Sequence, residues 1–144
     1  MKKMCAMFSL AFALCAGVLL AKDTGGKMQI QLSFDNEKIV VVLEDNSATR
    51  DFYALLPLKL TFSDYVGKEK ISPELPKRLN TKGLSGYEPE IGDLFYFSPW
   101  GNLGIFYDKQ PFHSGLVKFG KLEASDLAKI RAKRNDFVVE FSKL

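Results

Sequence analysis

Cysteine and histidine are nearly missing from this chain of 144 residues. Its two cysteines, Cys5 and Cys15, both stand near the N-terminus, and His113 is the sole histidine. Met1-Lys2-Lys3 is followed by an uncharged, mostly apolar run from Met4 to Leu20, then by Leu19-Leu20-Ala21 and the polar Lys22-Asp23-Thr24-Gly25-Gly26. That order predicts a secretory signal peptide over residues 1–21, cut after Ala21. The alternative is a retained anchor, since the run is long enough nearly to span a bilayer. Lipoprotein processing is disfavoured by the bulky Leu14 directly before Cys15.

If the signal is removed, the mature chain has no cysteine. Disulfides, thiol catalysis and cysteine-ligated zinc or iron–sulfur sites are then excluded together. A lone histidine with only Asp108 near it in sequence makes no metal site, and no cofactor is expected. Charge of one sign is also lacking. Removing Lys2 and Lys3 and no acid takes the net charge from +3 to +1. A nearly neutral domain gives no reason to expect nucleic acid or, after cleavage, a membrane surface as partner. Gly-x-Ser-x-Gly, a glycine-rich phosphate loop and His-Glu-x-x-His are all absent from the sequence. Ser114, His113 and Asp108 have no triad-like spacing, and Glu88 and Glu90 flank Pro89 as a solvated turn.

What is present is short apolar alternation. A polar leader over residues 22–27 precedes a domain over residues 28–144. Ile30, Leu32 and Phe34 alternate with polar residues as a strand. After the turn Asp35–Lys38, Ile39–Leu43 reads as a β-branched strand buried on both faces. Asn46 or Ser47 caps a helix with Phe52, Leu55 and Leu56 inward, ended by Pro57. Leu58, Leu60 and Phe62 form a third strand. Ser63–Gly92 is rich in glycine and proline, with short strands expected around Glu69–Ile71 and Arg78–Leu79; so long a segment suits a binding loop. Two aromatic strands, Leu94–Ser98 and Leu103–Tyr107, follow, joined by Pro99-Trp100-Gly101-Asn102, a turn of residues suited to that geometry. A loop Asp108–Ser114 and a strand Leu116–Leu122 come next. Ser125 then caps a short helix with Leu127, Ala128 and Ile130 inward and Arg131, Lys133 and Arg134 near its end. Phe137, Val139 and Phe141 alternate in the last strand. Strands dominate without a βαβ rhythm, which predicts a mainly β fold, a closed antiparallel barrel with two short helices.

Four segments, Ile91–Tyr107, Asp45–Phe52, Leu55–Leu58 and Gly115–Leu122, together resemble the bacterial cyclophilin-like domain family over roughly residues 28–125. The resemblance implies the same barrel. It also implies prolyl isomerisation, in which an arginine hydrogen-bonds the prolyl amide region in an apolar groove with a phenylalanine, a glutamine and a histidine. Phe119-Gly120-Lys121 matches the family strand, but Leu116 stands at the histidine position and Asn102 or Leu103 near the glutamine. Arg78 is the sole arginine between Asp51 and Ile130, and its flanks depart from the family motif.

The expected function is therefore a periplasmic or secreted binding module that holds a small molecule or an extended peptide, with peptidyl-prolyl isomerase as the alternative. The groove wall is expected from the Pro99–Asn102 turn and the Ser63–Gly92 segment, where function collects on loops carried by a rigid scaffold. The candidate ligand-binding residues are Arg78, Trp100, Asn102, Tyr107 and His113. Arg78 reads as a solvated loop arginine or as a guanidinium fork over the groove. Trp100 reads first as a plug of the barrel end, and otherwise as a groove wall.

Overall fold

The computed structural model of the chain describes residues 26–144. The expected signal peptide, both cysteines and most of the leader lie outside the described residues. Eight strands and two helices follow in order: β1 Gln29–Phe34, β2 Glu37–Val42, α1 Ser47–Ala54, β3 Leu58–Tyr65, β4 Glu69–Glu74, β5 Asp93–Phe97, β6 Asn102–Phe106, β7 Leu116–Lys121, α2 Ala124–Arg131 and β8 Phe137–Lys143. All pairings are antiparallel, in the order β2-β1-β8-β3-β4-β6-β5-β7. The sheet curls into a nearly closed barrel, as the alternation predicted.

Where the two outer strands meet, the Glu44 N–H donates to the Phe119 carbonyl at 2.7 Å. Gly120 lets the backbones approach: a Cβ there would meet Val41 Cγ1 at 2.6 Å and the Val42 carbonyl oxygen at 2.7 Å. Inside, alternate residues of every strand but β4, whose buried residues are Lys70 and Ser72, form one apolar core, including Ile30, Leu32, Leu60, Phe62, Leu94, Tyr96, Ile105, Val139 and Phe141. Helix α1 closes one side of that core. Asn46 and Thr49 cap it reciprocally: Asn46 Oδ1 accepts from the Thr49 N–H at 2.8 Å, and Thr49 Oγ1 accepts from the Asn46 N–H at 3.0 Å. Its Phe52 is fully buried between Phe119 and Phe141, with ring centroids at 5.3 and 5.7 Å.

Several local expectations are corrected. Strand β2 is not buried on both faces: Ile39, Val41 and Leu43 point inward while Val40 and Val42 are exposed. At the end of the sheet it has no second layer to cover its outer face. Arg78–Leu79 is not a strand; Leu75 and Leu79 are buried around Pro76 in irregular chain that lies against Tyr96, whose hydroxyl accepts the Leu79 N–H at 3.3 Å. The strand expected around Glu69–Ile71 is present as β4, and it forms a hairpin with β3 through Val66 and Gly67, both at positive φ (50° and 69°). A valine there is unusual, which hides the turn from residue preference. In α2, Ser125 lies inside the first turn and Glu123 is the N-cap, with no side-chain bond. Leu127 and Ile130 face the core while Ala128 points outward.

The aromatic plug of the barrel is Phe52, not Trp100. Phe52→Ala is expected to lower stability by about 3–5 kcal/mol, the range for a large buried aromatic. Urea denaturation followed by circular dichroism measures it, and a loss below about 1 kcal/mol contradicts this packing.

Candidate functional site

Strand β5 is apolar on both faces. Leu94 and Tyr96 enter the main core, while Phe95 belongs to a second cluster on the outside of the barrel with Phe106 and Leu116, against which Tyr87 and Phe97 pack. The register explains how these rings meet. Phe95 lies opposite Gly104 and Phe97 opposite Asn102 on one side, with Phe97 opposite Leu116 on the other. Gly104 has no side chain to lift Phe95 off the sheet; a Cβ there would lie 2.2 Å from Phe95 Cζ. Phe95 therefore lies flat and stacks on Phe106 with centroids 4.0 Å apart and planes 15° apart. The row continues outward, since Glu69 is opposite both Phe106 and Tyr65.

Above this floor stand two walls. One is the turn after β5, where Trp100 meets Phe97 edge-on at 5.4 Å and Tyr65 at 5.5 Å. The Trp100 and Gly101 N–H groups both donate to the Phe97 carbonyl, at 3.2 and 2.8 Å. The other wall is the loop from Gln110 to His113. It is pinned by the His113 N–H, which donates to the Tyr87 carbonyl at 3.3 Å, and by His113 Nδ1, which accepts from the Gly115 N–H at 2.9 Å. The His113 ring packs edge-on against Phe97 at 4.9 Å. Tyr87 is held in turn by buried Asp93, whose Oδ2 accepts the phenolic O–H at 3.0 Å and the Glu90 N–H at 2.9 Å. Burial first, and then Asp93, push the Tyr87 phenol far up. Together the floor and walls enclose an apolar groove of about 210 Å³, and among the described residues Glu69 is the sole carboxylate on its lining, with neither lysine nor arginine there.

Glu69 is half-buried, and among the described residues no donor or cation is paired with it. Burial pushes its carboxyl up to about 7. Other hollows, beside Glu44–Asn46 and around Glu88–Ile91, are larger but bordered by charged residues. No cluster of three or more His, Cys, Asp or Glu side chains forms among the described residues.

The sequence profile of the cyclophilin-like family matches residues 32–142. The chain belongs to the cyclophilin-like family. Its fold is similar to the solution structure of the hypothetical protein AF2241 from Archaeoglobus fulgidus, with a TM-score of 0.60 and 16% identity over 82% of this chain and 95% of that one. It is also similar to McbB, solved in complex with tryptophan, with a TM-score of 0.54 and 13% identity over 79% of this chain and 44% of that one. At such identities the likeness concerns the fold. No curated protein matches the chain.

On this cyclophilin-like barrel the five residues singled out from sequence separate. Trp100 and His113 line the groove together. Trp100 is 47% exposed, so the plug reading is corrected. Arg78 lies behind the turn: its Nη1 donates to the Ser98 carbonyl at 2.7 Å, its Nε pairs with Glu74 at 3.3 Å, and its guanidinium rests against Gly101. Asn102 is buried under the sheet's outer layer, its Nδ2 donating to the Ser72 carbonyl at 3.0 Å and its Oδ1 unpaired. Tyr107 points to another cluster, where its hydroxyl donates to Asp64 beneath Lys70 and Arg131. Burial and Asp64 push that phenol up to about 12.

Sequence reading missed Tyr65, Glu69, Phe95, Phe97, Phe106 and Phe112. Only the run Leu94-Phe95-Tyr96-Phe97 carried a signal, because a barrel strand apolar on both faces needs a second layer outside. Of the expected wall segment Ser63–Gly92, only the β3–β4 hairpin reaches the groove, and the loop before β7 supplies the rest.

Measurements on Trp100 and on Glu69 test this geometry. Trp100→Ala should lower stability by about 1 kcal/mol, as suits a half-exposed ring. The wild-type emission, which comes from this single indole, should be red-shifted and readily quenched by acrylamide. Carboxyl-carbon NMR should give Glu69 a midpoint near 7. A folded midpoint above the unfolded value means the folded state holds the proton more tightly. The contribution of Glu69 to stability is then full below about 4.5 and is lost as pH rises to about 7. Glu69→Gln should abolish that part of the pH dependence.

Proposed function

We propose that this protein is a binding module whose ligand lies in the groove on the outer face of strands β4, β6, β5 and β7. The observation that carries this is the second apolar layer. Phe95 and Phe106 are buried as a floor, yet Trp100 and Phe112 above them remain exposed, at 47% and 57%. Large exposed rings gathered round one concavity, rather than scattered, mark a site of association. The walls are held by hydrogen bonds to backbone, so the groove is formed before a ligand arrives and little ordering opposes binding. A small molecule or the side chains of an extended peptide both suit it.

The groove carries no guanidinium among the described residues, since Arg78 is committed to Ser98 and Glu74. The arrangement by which the wider family polarises the prolyl amide therefore has no counterpart on this face, and binding without prolyl isomerisation is the better reading. The expected signal peptide adds that the module works in the periplasm or outside the cell, a proposal that N-terminal sequencing of protein recovered from the envelope tests by a start at or near Lys22.

The functional test is a thermal-shift screen of small molecules and short proline-containing peptides on the mature chain. A ligand at about one hundred times its Kd should add roughly 2.7 kcal/mol of stability, and Trp100→Ala should remove the shift. A Tm that no compound moves contradicts the proposal. In a protease-coupled assay with a proline tetrapeptide, no acceleration is expected; acceleration lost in Arg78→Ala would restore the isomerase reading.

A further inference from the structure

The lining of the groove has a chemical bias that a general apolar site does not need. Tyr65, Phe97, Trp100 and Phe112 present aromatic surface, and the charged group set among them is the carboxyl of Glu69. Glu69 is placed there by the ladder. It is opposite Tyr65 on one strand and Phe106 on the other, and directly opposed residues hold their Cβ atoms about 4.5–5.5 Å apart on one face. The neighbouring lysine on β4, Lys70, points to the other face, where it is buried, donates to the Lys133 carbonyl and pairs with Asp64 at 3.3 Å. Among the described residues, no lysine or arginine lines the groove to neutralise Glu69.

A carboxylate held in apolar surroundings without a partner is unfavourable. Aromatic faces, in turn, attract a cation through the negative charge on the ring face, and weakly hydrated alkylammonium groups gain most from this. One occupant satisfies both demands. We propose that the groove binds a small organic cation, with its alkylammonium group against Trp100 and Tyr65 and its charge balanced by Glu69. This rests on the groove being the binding site and names the chemistry of the ligand. The volume of about 210 Å³ falls below the roughly 300–1,000 Å³ usual for drug-sized ligands, which favours a single small head group.

Choline and dimethylbutanol, its uncharged carbon isostere, have nearly the same shape and differ in charge. Titrated into the mature chain and followed by the emission of Trp100, choline should bind on the order of tenfold more tightly than the isostere. Glu69→Gln, checked for folding by circular dichroism, should weaken choline by a similar factor and leave the isostere unchanged. Ethanolamine, which is choline without its three N-methyl groups, should bind more weakly than choline, because its charge is better hydrated. Equal affinity for choline and isostere, or choline binding unmoved in Glu69→Gln, overturns the cation assignment and leaves the groove as the site. No response to either probe from a folded protein, together with a silent ligand screen, overturns both.

Discussion

Phe95 lies flat across the bare backbone of Gly104, and the outer half of this molecule follows from that contact. A barrel strand ordinarily turns one face to the core and the other to water. Here β5 and β6 are buried on both faces, because Phe95, flattened against Gly104, stacks on Phe106 and carries Phe97 and Leu116 with it. Any side chain at position 104 would collide with the ring, so ring or strand would have to give way. The groove is thus a consequence of one missing methyl group as much as of the rings around it.

The polar groups near this outer layer act as its supports. Asp93, fully buried, ties Tyr87 to the turn at Glu90, and Tyr87 ties the loop at His113. Arg78 fixes the opposite wall from behind through Ser98. Ser72 and Asn102 join β4 to β6 beneath it, with Ser72 Oγ accepting the Leu103 N–H at 2.9 Å. Most of these hydrogen bonds run to backbone, although among the described residues Asp93 Oδ1 and Asn102 Oδ1 accept none, and a side chain held by backbone moves little. Glu69 differs in that, among the described residues, it has aromatic neighbours and no partner at either oxygen.

Much of the barrel was legible in the sequence because burial on one face writes a period of two into it. Ile30-Leu32-Phe34, Leu58-Leu60-Phe62 and Phe137-Val139-Phe141 each became a strand with that face inward. The capping residue Asn46 and the aromatic hairpin around Pro99–Asn102 were legible for local reasons, since caps and turns depend on neighbours in the chain. The groove was not. Tyr65, Glu69, Phe97, Phe106 and Phe112 come together only through the register of separate strands, which no spacing along the chain records. Val66 concealed the hairpin that delivers Tyr65 and Glu69, and Trp100 drew the reading towards a plug because single tryptophans are commonly buried. Arg78 was attractive as a rare arginine, yet rarity does not tell which side of a turn a side chain supports.

The meeting of β2 and β7 has a consequence for how the barrel breathes. Elsewhere each strand is bound to its neighbours by a ladder, but across this junction the contact rests on the Glu44–Phe119 hydrogen bond and on the close approach at Gly120. Local opening takes the path with the fewest bonds to break. Amide hydrogens of β2 that face the junction should therefore exchange with solvent sooner than those of β1 or β8. The junction lies at Phe119 and Gly120 on β7, whereas the Phe95–Phe106 stack belongs to β5 and β6, so a break at the junction does not cut through that stack.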